Sequence, residues 1–263
     1  MDWTPVSYAY DGSFAGFLTC VFASYAHREE PMSFSTPEDG RISLWPERTV
    51  DTDEARAQRV YRSLAPRLGQ EGRRLAVYGF LTCLEERELH LWRFLRLGYD
   101  RGPWVVRDLT DDRVAVLTRA VGHLTGEAHL LKGFTRFSEQ EGVLVGEIAP
   151  KNRVLPLLRP HFCARYPEES FVLYDRTHRE ALFYRPRRWA IVPLEAFRAA
   201  APGREERDFR RLWRRFYDTI AIAERYNPKC RMTQMPKRYW NTMTEFLPEE
   251  PPELPETNSP SAG

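Results

Sequence analysis

At about residue 140 the hydrophobic period of this chain changes, and that change restricts its fold more than any other feature. Upstream, apolar residues recur at helical spacing. Val114, Leu117, Val121, Leu124 and Ala128 mark the core-facing stripe of a helix expected over 112–139. Downstream, 143–148, 171–174, 181–184 and 189–192 are short runs of β-branched and aromatic residues separated by turn-forming or charged links, the pattern of an antiparallel sheet. Helices grouped in the middle and strands grouped later predict an α+β fold rather than a doubly wound one.

The remaining elements follow from the same periodicities. A strand at 6–10 and a tight turn at Asp11-Gly12 lead into a buried helix through Phe14, Phe17, Leu18, Val21, Phe22 and Tyr25. Residues 28–50, with Pro31, Pro37, Gly40 and Pro46, read as a long irregular connection ending in an extended piece at 42–44. Further helices are expected over 53–68, 73–86 and 89–97, and another over 153–166, bent or restarted at Pro156 and Pro160. One domain is expected over 1–247, helical at about 51–140 and sheet-forming at about 141–193. A disordered, acidic, proline-rich tail is expected to follow at 248–263.

The net charge of +2 conceals a separation of sign along the chain. Between Arg204 and Arg238 stand eleven bases against five acids, whereas Glu245, Glu249, Glu250, Glu253 and Glu256 follow with no base among them. A basic helix over 205–226 buries Leu212, Phe216, Ile220 and Ala223 and leaves its arginines mostly on the other face. Beyond it, NPKCRMTQMPKRYW at 227–240 combines phosphate-neutralising side chains with stackable rings in a stretch that Pro228 and Pro236 keep from being a continuous helix. In a nucleic-acid-binding role, Arg231, Lys237 and Arg238 contact phosphate, Tyr239 or Trp240 stacks, and Gln234 hydrogen-bonds a base or the backbone. Tyr, Trp and Arg are also the usual anchors of a protein interface, which keeps docking to a partner as the rival reading.

Three side chains are candidates for acid–base chemistry. Asp11 lies between strand and helix, placed to cap helix amides with help from Ser13, or to act as a carboxylate at a strand's carboxyl end. His129, Gly133 and Arg136 fall at i, i+4 and i+7 of one helix face, consistent with a phosphate or base pocket or with helix packing; Glu127 is expected to meet His123 instead. Asp175, with Arg176 at a hairpin tip, suits turn chemistry as well as catalysis, and His161 ends a helix. Cys20, Cys83, Cys163 and Cys230 are too widely spaced for a zinc or iron–sulfur site, so no metal and no cofactor is expected. None of the common nucleotide-binding, hydrolase, metalloprotease or deaminase motifs occurs in the sequence, which lowers the expectation of an enzyme without removing it. With no leader and no long apolar run, the expected location is the cytoplasm.

Four segments together carry a family resemblance: YDGSFAGFLTCVF at 10–22, GEAHLLKGFTRF at 126–137, HFCARYPEESFVLYDRTHREALFY at 161–184 and MPKRYW at 235–240. The chain resembles a bacterial family described as DNA metabolism or DNA repair proteins. That resemblance implies a companion radical S-adenosylmethionine (radical SAM) enzyme acting in DNA modification or repair; related segments occur fused ahead of a uracil-DNA-glycosylase-like domain. It implies DNA and the radical SAM enzyme as partners and specifies no reaction. Three roles stay open: a nucleic-acid-binding accessory, an enzyme acting on DNA bases or backbone, and an adaptor for the radical SAM partner without DNA contact.

Overall fold

The computed structural model of the chain describes residues 3–37, 43–140, 142–195, 239, 242 and 243, which form an α+β fold with five α-helices and two sheets. The basic helix expected over 205–226, the residues Arg231, Gln234, Lys237, Arg238 and Trp240, and the acidic tail lie outside the described residues. The expected 1–247 domain is subdivided into two compact units. One comprises Met1–Leu130 with Pro150–His161, the other Leu131–Ala149 with Phe162–Gly263. Among the described residues no helix is long and apolar enough to cross a membrane.

In the first unit, strand β1 (Thr4–Ala9) leads through Ser13 into helix α1 (Phe14–His27), and Ser13 Oγ accepts from the Gly16 amide at 2.9 Å as the N-cap. Strand β2 (Glu29–Ser35) then pairs parallel with β1, and a short strand β3 (Glu47–Thr49) pairs parallel on the other side, giving the order β2-β1-β3. The irregular connection expected over 28–50 therefore contains two strands. Pro31 hid the first of them, since it carries no amide hydrogen for a ladder. It is accommodated because β2 is an edge strand and the register shifts between Val6–Pro31 and Ser7–Ser33. Of the extended piece expected at 42–44, Ser43 and Leu44 form no strand, and residue 42 lies outside the described residues.

The two helices expected over 53–68 and 73–86 both form within α2 (Glu54–Phe80), which is broken between them at the non-helical Gly69. Gly69 takes φ +75° at the junction, a conformation glycine adopts without penalty, and the second part stops at Phe80. Helix α3 (Arg87–Arg101), a 3₁₀ segment (Pro103–Arg107) and helix α4 (Asp112–Phe134) follow. Burial concentrates on Phe17, Leu64, Leu68, Leu91, Trp92, Phe94 and Leu117; the stripes read on α1 and α4 bury Phe17, Leu18, Val21, Val114, Leu117, Leu124 and Ala128, whereas Tyr25, expected on the buried face of α1, is exposed.

The second unit is built on strands β4 (Phe137–Gln140), β5 (Val143–Ile148), β6 (Ser170–Asp175), β7 (Glu180–Arg185) and β8 (Arg188–Pro193), in that spatial order. All neighbours pair antiparallel except β5 and β6, which are parallel. The expectation of a wholly antiparallel sheet fails at this one pair because helix α5 (Leu155–Arg165) connects the two strands, and a crossover connection returns the chain in the same direction. Helix α4 also ends earlier than expected. Its last residues give way to β4, where the Phe137 ring meets Phe162, Tyr166 and Phe171 at 5.2, 5.5 and 5.7 Å between centroids. Aromatic packing there outweighs the helical spacing that runs on to residue 139.

Candidate functional site

A cleft of about 790 Å³ opens in the first unit at the carboxyl end of β1, lined by Asp11, Gly12, Ser33, Thr36, Trp45, Cys83, Arg87, Glu88 and Arg153, among others. β1 is the central strand of its parallel sheet; the chain passes from β1 to β2 on one side and then from β2 across to β3 on the other, so the connections change side at β1. In open sheets this is where ligands bind. Asp11 Oδ1 accepts from the Ser13 amide at 2.9 Å and Oδ2 from the Thr52 hydroxyl at 2.7 Å, so the residue ties the β1–α1 turn to the segment entering α2. Burial pushes its pKa up, but these hydrogen bonds outweigh burial and hold the carboxyl below its ordinary value. Ser13, not Asp11, caps the helix; the expected capping role moves two residues along the chain. Gly16 makes the arrangement sterically feasible, because a Cβ there would stand 2.3 Å from Asp11 Oδ1 and 2.8 Å from Thr52 Oγ1.

The opposite wall begins α3. The Tyr10 hydroxyl donates to Glu88 Oε1 at 2.8 Å, Arg87 Nε donates to the same oxygen at 2.9 Å, and the Arg87 guanidinium lies 4.5 Å from the centre of the Phe80 ring. Burial, then the Glu88 charge, push the Tyr10 phenol far up, so it serves as a donor. Cys83 is an exposed free thiol whose amide donates to Asn152 Oδ1 at 2.9 Å. The lining carries the carboxylates of Asp11, Glu85, Glu86 and Glu88 against the guanidiniums of Arg87 and Arg153, and Arg87 is engaged by Glu88. Such a cleft suits a cationic or hydrogen-bonding group and repels a phosphate backbone.

Of the other residues singled out in the sequence, His129 is exposed on α4 and does not line the cleft. Glu127 does not meet His123. Its buried carboxylate accepts from the amides of Lys151 and Asn152 at 3.1 and 2.9 Å and from Asn152 Nδ2 at 2.7 Å, a latch the sequence did not signal because the partners lie 24 and 25 residues away. In the second unit, Arg136 falls beyond the end of α4 and donates to the carbonyl oxygens of Gly133 and Thr135 at 2.8 and 3.4 Å, so the predicted face of 129, 133 and 136 does not form. Asp175 is fully buried at the end of β6. It accepts from the amides of Thr177 and His178 at 3.0 and 3.2 Å, and its Oδ2 lies 2.7 Å from His178 Nδ1. That is turn chemistry with an oriented imidazole added, and His178 went unnoticed in the sequence. Tyr239 is buried, 2% exposed, with its ring 5.8 Å from Phe134; the face expected to stack on a base is covered, which leaves Trp240 as the motif's stacking candidate.

A second concavity in the first unit has the opposite character. A groove of about 370 Å³ between α1, α2 and α3 is lined by Val21, Phe22, Tyr25, Arg59, Val60, Ser63, Arg67 and Tyr99, with no carboxylate. The Tyr25 and Tyr99 rings meet edge to face at 5.7 Å, the Tyr99 hydroxyl lies 2.7 Å from Ser63 Oγ, and Arg56 and Arg59 stand 5.5 and 5.7 Å from the Phe22 ring centre. Arg56 is paired with Asp53, whereas Arg59, Arg62 and Arg67 are exposed and make no ion pair among the described residues. The sequence hid this site. Phe22 and Tyr25 read as core positions on α1, Tyr99 lay beyond the helix expected over 89–97, and only the three-helix packing sets them beside the α2 arginines.

An α+β protein with a carboxylate-lined cleft and a separate arginine–aromatic groove is thus defined by the geometry. Residues 85–245 match a family described as a domain of unknown function, DUF4130, and the chain belongs to that family. No curated protein matches the chain.

Proposed function

We propose that this chain is a nucleic-acid-binding protein of DNA repair or modification that works as the accessory of a radical SAM enzyme. The observation that carries the nucleic-acid part is the groove between α1, α2 and α3, where Arg59 and Arg67 stand beside the exposed Tyr25 and the half-buried Phe22 and Tyr99 with no carboxylate in the lining. Exposed guanidiniums neutralise phosphate with counterion release, and the exposed part of the Tyr25 ring adds aromatic surface for an unpaired base. The radical SAM partner and the repair setting rest on the resemblance of the four sequence segments.

Titration of a fluorescent oligonucleotide at rising salt tests the reading. Binding should weaken steeply with salt, and Arg59→Gln/Arg67→Gln should weaken it further and flatten its salt dependence. Absence of binding at low salt defeats the proposal. Of the second reading, an enzyme acting on DNA bases or backbone, one observation favours the base-directed form: the cleft places the ionised Asp11 at the carboxyl end of the central parallel strand, among carboxylates that suit a hydrogen-bonding base better than a phosphate.

A further inference from the structure

The turn joining β7 to β8 carries three arginines in four positions, Arg185-Pro186-Arg187-Arg188, and all three are exposed. None of them makes an ion pair among the described residues, although cationic side chains at the other end of the same strands do: Arg179 binds Glu195 at 3.1 Å, and Arg176 binds Glu147 at 3.2 Å. The acid of the hairpin, Glu180, sits opposite Pro193 at that far end, five residues along the strand from Arg185. Charge is therefore segregated along the ribbon, with a purely basic tip.

Two features of the tip run against stability. Arg185 lies directly opposite Arg188 in the β-ladder, and like charges in that position repel. Pro186 sets the first corner of the turn and Arg187 takes φ +66° at the second, a left-handed conformation that glycine or asparagine adopts at lower cost. Unfavourable local choices clustered on an exposed tip are the pattern of a site whose cost is offset by a bound partner. Beside the tip, Trp189 and Phe183 are 52% and 39% exposed, which adds apolar surface to the charge.

We infer that the β7–β8 hairpin tip is a nucleic-acid contact in which Arg185, Arg187 and Arg188 engage backbone phosphates. The inference rests on the nucleic-acid-binding function proposed above and places a contact in the second unit, on residues distinct from the groove. Planar guanidiniums suit phosphate oxygens, and the exposed turn at the edge of the sheet presents all three to a backbone without having to enter a groove.

The test compares the full-length protein with Arg185→Gln/Arg187→Asn/Arg188→Gln, measuring affinity for a labelled duplex over a salt series together with the unfolding midpoint. Asparagine is chosen at 187 because it tolerates the left-handed backbone. Each lost phosphate contact reduces the slope of log affinity against log salt by about 0.9, so the triple variant should lose about two to three from the slope while its midpoint holds or rises. A variant with lysine at all three positions should keep the native slope. Should the triple variant fold poorly, Arg185→Gln and Arg188→Gln made singly should each lower the slope by about one. An unchanged slope in the glutamine variants, with the Arg59/Arg67 variant impaired, overturns the hairpin contact and leaves the function standing. Absence of duplex and single-strand binding by the native protein overturns both.

Discussion

The hydroxyl of Tyr8 on β1 donates to the carboxylate of Glu29 on β2 at 2.7 Å, and Arg48 of β3 donates to the same carboxylate through Nε at 3.0 Å. One buried acid thereby joins all three strands of the parallel sheet that carries Asp11. Burial pushes the Glu29 carboxyl up, but Arg48 and Tyr8 outweigh it and hold it below its ordinary value; Asp111, gripped by Arg113, is held at about 2. Carboxylates depressed in the folded state contribute fully above their unfolded values of about 4 and lose that contribution as pH falls through the folded values. Stability should therefore fall as pH drops from about 4 toward 2, and Glu29→Gln and Asp111→Asn should each flatten that acid limb in denaturant melts run across pH. Acid limbs identical to the native one in both variants would refute the assignment.

The Glu127 latch gives a second expectation. Replacing it by alanine strands two backbone amides and the Asn152 side chain in a buried place, at a cost of about 3 kcal/mol or more. Urea unfolding should show a clearly lower midpoint for Glu127→Ala, with His123→Ala near the native value. A native midpoint for the alanine variant would mean that the latch is dispensable.

Around Asp11, structure and chemistry separate by substitution. Asp11→Asn keeps an acceptor for the Ser13 amide and should melt close to the native protein, whereas Asp11→Ala should lose about 1 kcal/mol. Gly16→Ala should destabilise more than either, because its new Cβ collides with the Asp11 carboxylate, the Thr52 hydroxyl and the Tyr10 ring. An Asp11→Asn protein that folds normally yet fails in a cellular repair assay would shift the balance to the enzyme reading.

At the C-terminal motif, the two adjacent rings should behave differently. Tyr239→Ala removes a buried ring and should cost about 3–5 kcal/mol of stability. Trp240→Ala should weaken single-stranded DNA binding tenfold or more, since base stacking contributes about 1–3 kcal/mol. Melting temperature and DNA affinity measured on both variants decide the matter. Native affinity in Trp240→Ala, joined to loss of radical SAM enzyme capture in a pull-down, points to the adaptor role.

The local pattern made much of the fold legible. Strand, Asp-Gly turn and helix at the start of the chain, the α4 stripe and the strands from Val143 to Pro193 follow from apolar periodicity and turn residues, which act between near neighbours. Asp11 could be singled out for the same reason: its place between a strand and a helix is a local fact. The Asp175 turn was equally readable, its imidazole partner less so.

Local residue pattern was enough to indicate the α+β class, the positions of most elements and the concentration of bases between Arg204 and Arg238. Contacts between distant segments are what put Pro31 in an edge strand, stop α4 where Phe137 finds an aromatic cluster, make β5 and β6 parallel and join Glu127 to Asn152. The folded arrangement also shows which charges are neutralised: Arg87 meets Glu88, whereas Arg59, Arg67 and the β7–β8 arginines meet no acid among the described residues. Periodicity reports which face of a segment is apolar, but pairing and charge compensation depend on groups far apart in the chain, and folding alone brings those together.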